Sequence, residues 1–159
     1  MTGSDLEQRL ALIERGLEEH AAGGLAPGLT EPDPDTDERW VAAQVWAHMA
    51  EFVGYWHAQL AAVIAAYDGE PVPFGRVKSD EGRIAAIEAG RRESLAALEA
   101  RAADSVRSLR RYLAGLSPTD WQAVGRHQTI GEMNVRAIVD RFILNHLDEH
   151  FAQLDSLDG

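Results

Sequence analysis

Leu6, Leu10, Ile13 and Leu17 open the chain with apolar positions three and four residues apart, the period of one face of an α-helix. Ser4 and Glu7 form an S-x-x-E capping box at its start, and Gly23-Gly24 closes it. The next stretch, "LAPGLTEPDPDTDE", is dense in Pro and Asp and predicts a loop. A second helical stripe follows in Val41, Val45, Phe52, Tyr55 and Val63, with Asp35 or Thr36 as cap and Asp68-Gly69 as stop. A third runs from Ser79 or Asp80 to Gly115. Its buried face is drawn by Ile84, Ile87, Leu95, Leu98, Ala102, Val106, Leu109 and Leu113. "SPTDW" predicts one short turn. Thr129 and Glu132 make a second capping box, and Val135, Val139, Phe142, Ile143 and Leu147 carry a last helix to about Ser156.

No segment alternates apolar and polar residues as a half-buried strand does, and no repeat is present. Four long amphipathic helices can hide their stripes only against one another. The expectation is an all-α protein, an antiparallel four-helix bundle, in a single domain spanning 1–159. The long first loop leaves the handedness of the connection open.

Charge narrows the partners. A formal net charge of −11 and a pI near 4.9 oppose a phosphate backbone, and no basic stripe with interleaved aromatics offsets them, so no nucleic-acid partner is expected. The most apolar stretch, Trp40 to Tyr67, is broken by Gln44, His48, Glu51, His57 and Gln59, so no membrane span is expected. "MTGSDLEQR" lacks the basic start and apolar centre of a signal peptide, which points to a cytoplasmic protein. All but one of the fifteen basic residues are arginine, a bias that suggests GC-rich coding. Trp46 and Trp56, read as exposed, suggest a homodimer.

With no cysteine in the chain, any metal must be held by His, Asp or Glu. His146 and His150 are four apart, so they differ by about 40° on a helix and share the direction of Val139, Phe142 and Ile143. His48 shares a face with Val41, Val45, Phe52 and Tyr55. Three inward imidazoles from two helices need partners, because an unsatisfied buried polar group costs about 1–3 kcal/mol. A divalent metal satisfies all three and keeps positions open for a small-molecule substrate. Zinc, nickel, iron and manganese all suit such a set.

His57 falls on the face opposite His48 and is expected at the surface. His20 sits in the last turn of the first helix, where the dipole favours a cation, and His127 lies in a loop where it could line a pocket mouth. "HLDEH" also matches the inverted zinc-protease signature H-x-x-E-H. Only nine residues follow His150, and no mixed α/β frame surrounds the motif, so that reading is set aside. Glu149 lies off the shared direction of the two histidines and is a candidate for supporting the ligands from behind. A di-iron site would need Glu or Asp three residues before a histidine, where Val45, Ile143 and Leu147 stand. Three more residues are candidates for substrate binding. Arg91 interrupts the buried stripe of the third helix and could anchor an anion. Tyr55 shares the face of His48, and Gln153, three after His150, could bond a ligand.

"VWAHMAEFVGYW" and "TIGEMNVRAIVDRFILNHLDEHFAQL" resemble the second and last helices of the DinB/YfiT-like superfamily, which includes the N-terminal domain of mycothiol-dependent maleylpyruvate isomerases. The resemblance implies a four-helix bundle with a divalent metal on His48, His146 and His150. The mycothiol-dependent branch can place a carboxylate where His146 stands, so this chain follows the triple-histidine form. Where members of the superfamily have established activities, these are thiol transfers using mycothiol or bacillithiol, and metal-dependent hydrolysis. The resemblance therefore implies a metal-dependent transferase using a low-molecular-weight thiol, a hydrolase, or a non-catalytic ligand-binding bundle. The GC-rich bias favours mycothiol as the thiol. A metal-held thiol loses its proton readily. Having no cysteine, the chain must take that thiol from outside.

Overall fold

The computed structural model describes residues 3–157, with side chains from Asp5 onward, so the expected Ser4 capping contact lies outside the described residues. The chain is mostly helical. α1 spans Gly3–Ala22 and α2 spans Ala42–Ala66. α2 is the hub: α3 (Glu81–Gly90), α4 (Leu95–Ala114) and the C-terminal helices all pack on it, while α1 packs on α4 and the C-terminal helix. The stripes read from the sequence meet in one core, with Leu10, Leu17, Phe52, Leu60, Leu98, Leu109, Ile143 and Leu147 fully buried. Each such side chain contributes about 1.5–3 kcal/mol by leaving water. Trp46 and Trp56 belong to this core, so they give no ground for the homodimer surface expected of them. No helix of the described residues is long and apolar enough to cross a membrane.

α2 begins later than expected. Pro32 and Pro34 hold the preceding chain out of helix, and Asp33 spends its carboxylate on the N–H groups of Asp35 and Thr36 at 2.8 and 3.0 Å. The start of α2 is instead closed by Gln44, whose Oε1 accepts from the Val41 N–H at 3.0 Å. The loop itself is pinned. The Thr30 N–H donates to the Trp40 carbonyl at 2.8 Å, and the Trp40 N–H donates to Thr30 Oγ1 at 2.9 Å.

The expected third helix is two. α3 presses so close to α2 that a Cβ at Gly90 would stand 2.8 Å from the Ala47 Cβ. The chain then turns, and Ser94 restarts it as α4, its Oγ accepting from the Ala97 N–H at 3.1 Å. Ile84, expected in the buried face, is exposed on α3.

The larger correction is a three-stranded sheet where none was expected. β1 (Val72–Phe74) runs parallel to β2 (Val124–His127), which pairs antiparallel with β3 (Gly131–Asn134). Thr129 and Glu132 therefore do not cap the last helix: Thr129 sits in the hairpin, and Glu132 lies opposite Arg126 across the strands. Asn134 caps it, accepting from the Ala137 N–H at 2.8 Å. The last helix then runs as α5 (Val135–Val139), a π-helical turn (Asp140–Leu144) and α6 (Asn145–Asp155).

Candidate metal centre

His48 projects from α2, and His146 and His150 project from α6. Their ring centroids lie 4.7 to 5.1 Å apart, and one donor atom from each lies within 4.8 Å of the others. The π turn sets this register. Its closing bond runs from the Asn145 N–H to the Asp140 carbonyl, five residues back, which inserts one extra residue. That rotates α6 by about 100° relative to α5, so the core face of α5 and the histidine face of α6 are aimed separately.

Each imidazole is held from behind. His48 Nδ1 lies 3.0 Å from Glu51 Oε2, and His150 Nδ1 lies 2.6 Å from Gln153 Oε1. A ring nitrogen of His146 hydrogen-bonds the Phe142 backbone carbonyl. As neither carboxylate nor amide oxygen can donate, the two Nδ1 atoms carry the protons and both Nε2 atoms keep their lone pairs. His150 Nε2 is buried and has no hydrogen-bond partner. Burial keeps all three rings neutral. It takes His146 down to about 3 and His150 down to about 4, and it takes His48 well below the usual imidazole value, helped by the neighbouring His150 and His146. Neutral rings with free lone pairs and fixed tautomers are what a divalent ion requires, so the donor set fits one.

Around the cluster lie groups the sequence reading missed. Glu51 also faces the Arg76 guanidinium in a nearly buried ion pair. Arg76 lies over the Tyr55 ring, 3.9 Å from its centroid. β1 delivers Arg76 here. The Gly75 N–H donates to Gln59 Oε1 at 2.7 Å, and His127 Nε2 donates to the Arg76 carbonyl at 3.0 Å while its Nδ1 accepts from Thr129 and Ile130. His127 is thus a buried strut rather than a free pocket residue. Trp40 closes the other side, stacked on His150 at 6.4 Å and edge-on to His48 at 5.6 Å, and Phe52 stacks on His146 at 4.1 Å.

The other candidates fall elsewhere or act differently. Tyr55 is half-buried under Arg76, and burial pushes its phenol pKa up. Gln153 bonds His150 itself. Arg91 ends α3 as a partly exposed side chain 3.3 Å from Glu88, and Glu149 is exposed. His57 is half-buried beside Tyr112, and His20 is spent on the Gly16 carbonyl and Asp155. Glu51 carried a usable signal, lying three residues past His48 on the same helix.

Comparison with known proteins agrees with this architecture. The family model of the DinB superfamily matches residues 11–154. YfiT from Bacillus subtilis, described as a probable metal-dependent hydrolase with an unusual four-helix bundle topology, superposes with a TM-score of 0.71 at 14% identity, over 98% of this chain and 86% of that one. The mycothiol-dependent maleylpyruvate isomerase superposes with a TM-score of 0.64 at 20% identity, over 97% of this chain and 63% of that one. A point mutant of that isomerase gives the same score at 19% identity, over 100% and 65%. This chain therefore spans less than two thirds of the isomerase's length. No curated protein sequence matches it.

Proposed function

The chain belongs to the DinB superfamily, and on that premise we propose that it is a metal-dependent transferase joining a low-molecular-weight thiol of the mycothiol type to a small electrophile. The observation that carries the reading is the cluster of His48, His146 and His150, with its buried, unpartnered His150 Nε2. These three residues would hold the ion. When bound, a divalent ion lowers the pKa of a thiol or water beside it and draws electron density from a carbonyl.

The chain's own residues prepare the site. Glu51 Oε2 and Gln153 Oε1 keep the protons of His48 and His150 on Nδ1. Trp40 and Phe52 wall the cluster with apolar surface and limit water. Tyr55 keeps its proton, so its hydroxyl remains a donor. With no cysteine in the chain, the nucleophilic sulfur comes from an external thiol, which a cytoplasmic setting keeps reduced.

The second reading is a metal-dependent hydrolase. It is favoured by the higher TM-score of the neighbour described as a probable metal-dependent hydrolase. One assay separates the two. Metal-loaded protein is mixed with a panel of electrophiles, with and without mycothiol, and free thiol and product are followed. Thiol consumption that requires the protein supports the transferase. Product formed equally without thiol supports the hydrolase. Neither, across the panel, leaves a ligand-binding bundle.

A further inference from the structure

Two guanidinium groups flank the histidine cluster, and one of them has donors to spare. Arg83 lies in the first turn of α3, where its own N–H is taken by Asp80 Oδ1 at 2.9 Å. Its Nη1 donates to the Lys78 carbonyl at 3.0 Å, and its guanidinium sits 5.7 Å from the Trp40 ring. That same ring packs on His48 and His150. None of the ion pairs among the described residues engages Arg83. The acidic groups near it are already committed: Glu51 to Arg76 and His48, Glu38 to Trp40 Nε1, and Asp33 to Lys78. Arg83 is partly buried, and it feels the like charge of Arg76 as well as the opposite charges of Glu51, Glu38 and Asp33 without pairing directly with any of them.

Arg76 and Arg83 both act on the cluster, and Glu51, the carboxylate that touches it, is already paired with Arg76. A partly desolvated cation in no direct ion pair, with donors to spare, favours an anion, and a guanidinium fork matches a carboxylate in two parallel hydrogen bonds. The Trp40 ring, 5.7 Å from the guanidinium, lies within cation–π range of it.

We infer that Arg83, backed by Arg76, is the anion subsite of this centre, and that the substrate is a small carboxylate-bearing molecule. The inference rests on the reading of the cluster as a substrate-binding centre, but the subsite belongs to the arginines and does not require the ion.

The test uses the metal-free chain at neutral pH. Calorimetric titration with succinate gives saturable binding, and the neutral dimethyl ester gives none. Arg83→Gln weakens succinate by about tenfold or more, the loss expected for a charge-assisted hydrogen bond. Arg83→Lys recovers part of it. Equal binding of ester and acid, unchanged affinity in Arg83→Gln, or tighter binding of inorganic phosphate than of succinate overturns the carboxylate subsite. Metal content is measured on the same preparations. Metal uptake with no Arg83-dependent succinate binding defeats the subsite and leaves the metal centre standing. Arg83-dependent binding in a protein that takes up no metal supports the subsite and defeats the metal centre.

Discussion

Replacing Gln153 by Leu removes one acceptor at almost constant volume and tests how the cluster is prepared. In the wild type, His150 Nδ1 donates to Gln153 Oε1 over 2.6 Å, and the ring is buried. Without that acceptor the Nδ1 proton is stranded, a cost of about 1–3 kcal/mol to the metal-free fold. The ring can escape by shifting its proton to Nε2, the atom the cluster needs unprotonated. Metal binding must then reverse the shift, and the ring has also lost the partner that makes it a better donor. Loss of such a supporting bond weakens metal binding about 10–100-fold, or about 1.4–2.7 kcal/mol. Competition with a chromophoric chelator reads this directly, with circular dichroism confirming the fold. Gln153→Glu offers the same geometry with a charged acceptor, and it retains or exceeds wild-type affinity. Wild-type affinity in folded Gln153→Leu would show that the Gln153 bond plays no part in preparing the ligand.

Arg76→Met leaves Glu51 buried without its cation, and urea unfolding is expected to show a loss of about 3 kcal/mol. A loss below about 1 kcal/mol would mean that the pair is solvated. Gly75 holds φ +94, and a Cβ there would stand 2.6 Å from the His127 ring, so Gly75→Ala costs about 1–3 kcal/mol. It also lowers metal affinity, because Arg76 is the next residue; unfolding and chelator competition on one preparation check both. The histidines set a pH dependence in the metal-free protein. Their folded values, about 3 for His146 and about 4 for His150, lie below the ordinary 6.5, so the unfolded chain takes up protons first as pH falls. Stability present above pH 6.5 is lost from there down to about 4 for His150 and about 3 for His146, at up to about 1.4 kcal/mol per pH unit for each histidine. Unfolding midpoints that stay level over that window count against neutral buried rings.

The helical skeleton and the histidine pairing were legible because both are local. Residues four apart on a helix share a face whatever surrounds them, so His146 and His150 declare themselves together, and His48 joins through its own stripe. The sheet was not legible because its strands are three and four residues long, hold Pro73 and Gly125, and pair across about fifty positions. Arg76 is carried to the cluster by those strands and left no local trace. Arg91 drew attention on the assumption of one continuous helix. The break between α3 and α4 left it at the end of α3, and the Trp40 ring next to the histidines is met instead by Arg83, eight positions earlier. The π turn was equally silent: it inserts a residue between two apolar stripes that each read as ordinary helix.

The central claim is that three histidines hold one divalent ion. Elemental analysis of purified protein, wild type against His48→Ala, His146→Ala and His150→Ala, tests it most directly. The account predicts about one ion per chain in the wild type and little or none in each folded variant. Equal metal content in all four proteins, or none taken up by the wild type when zinc, nickel, iron or manganese is supplied, would contradict it.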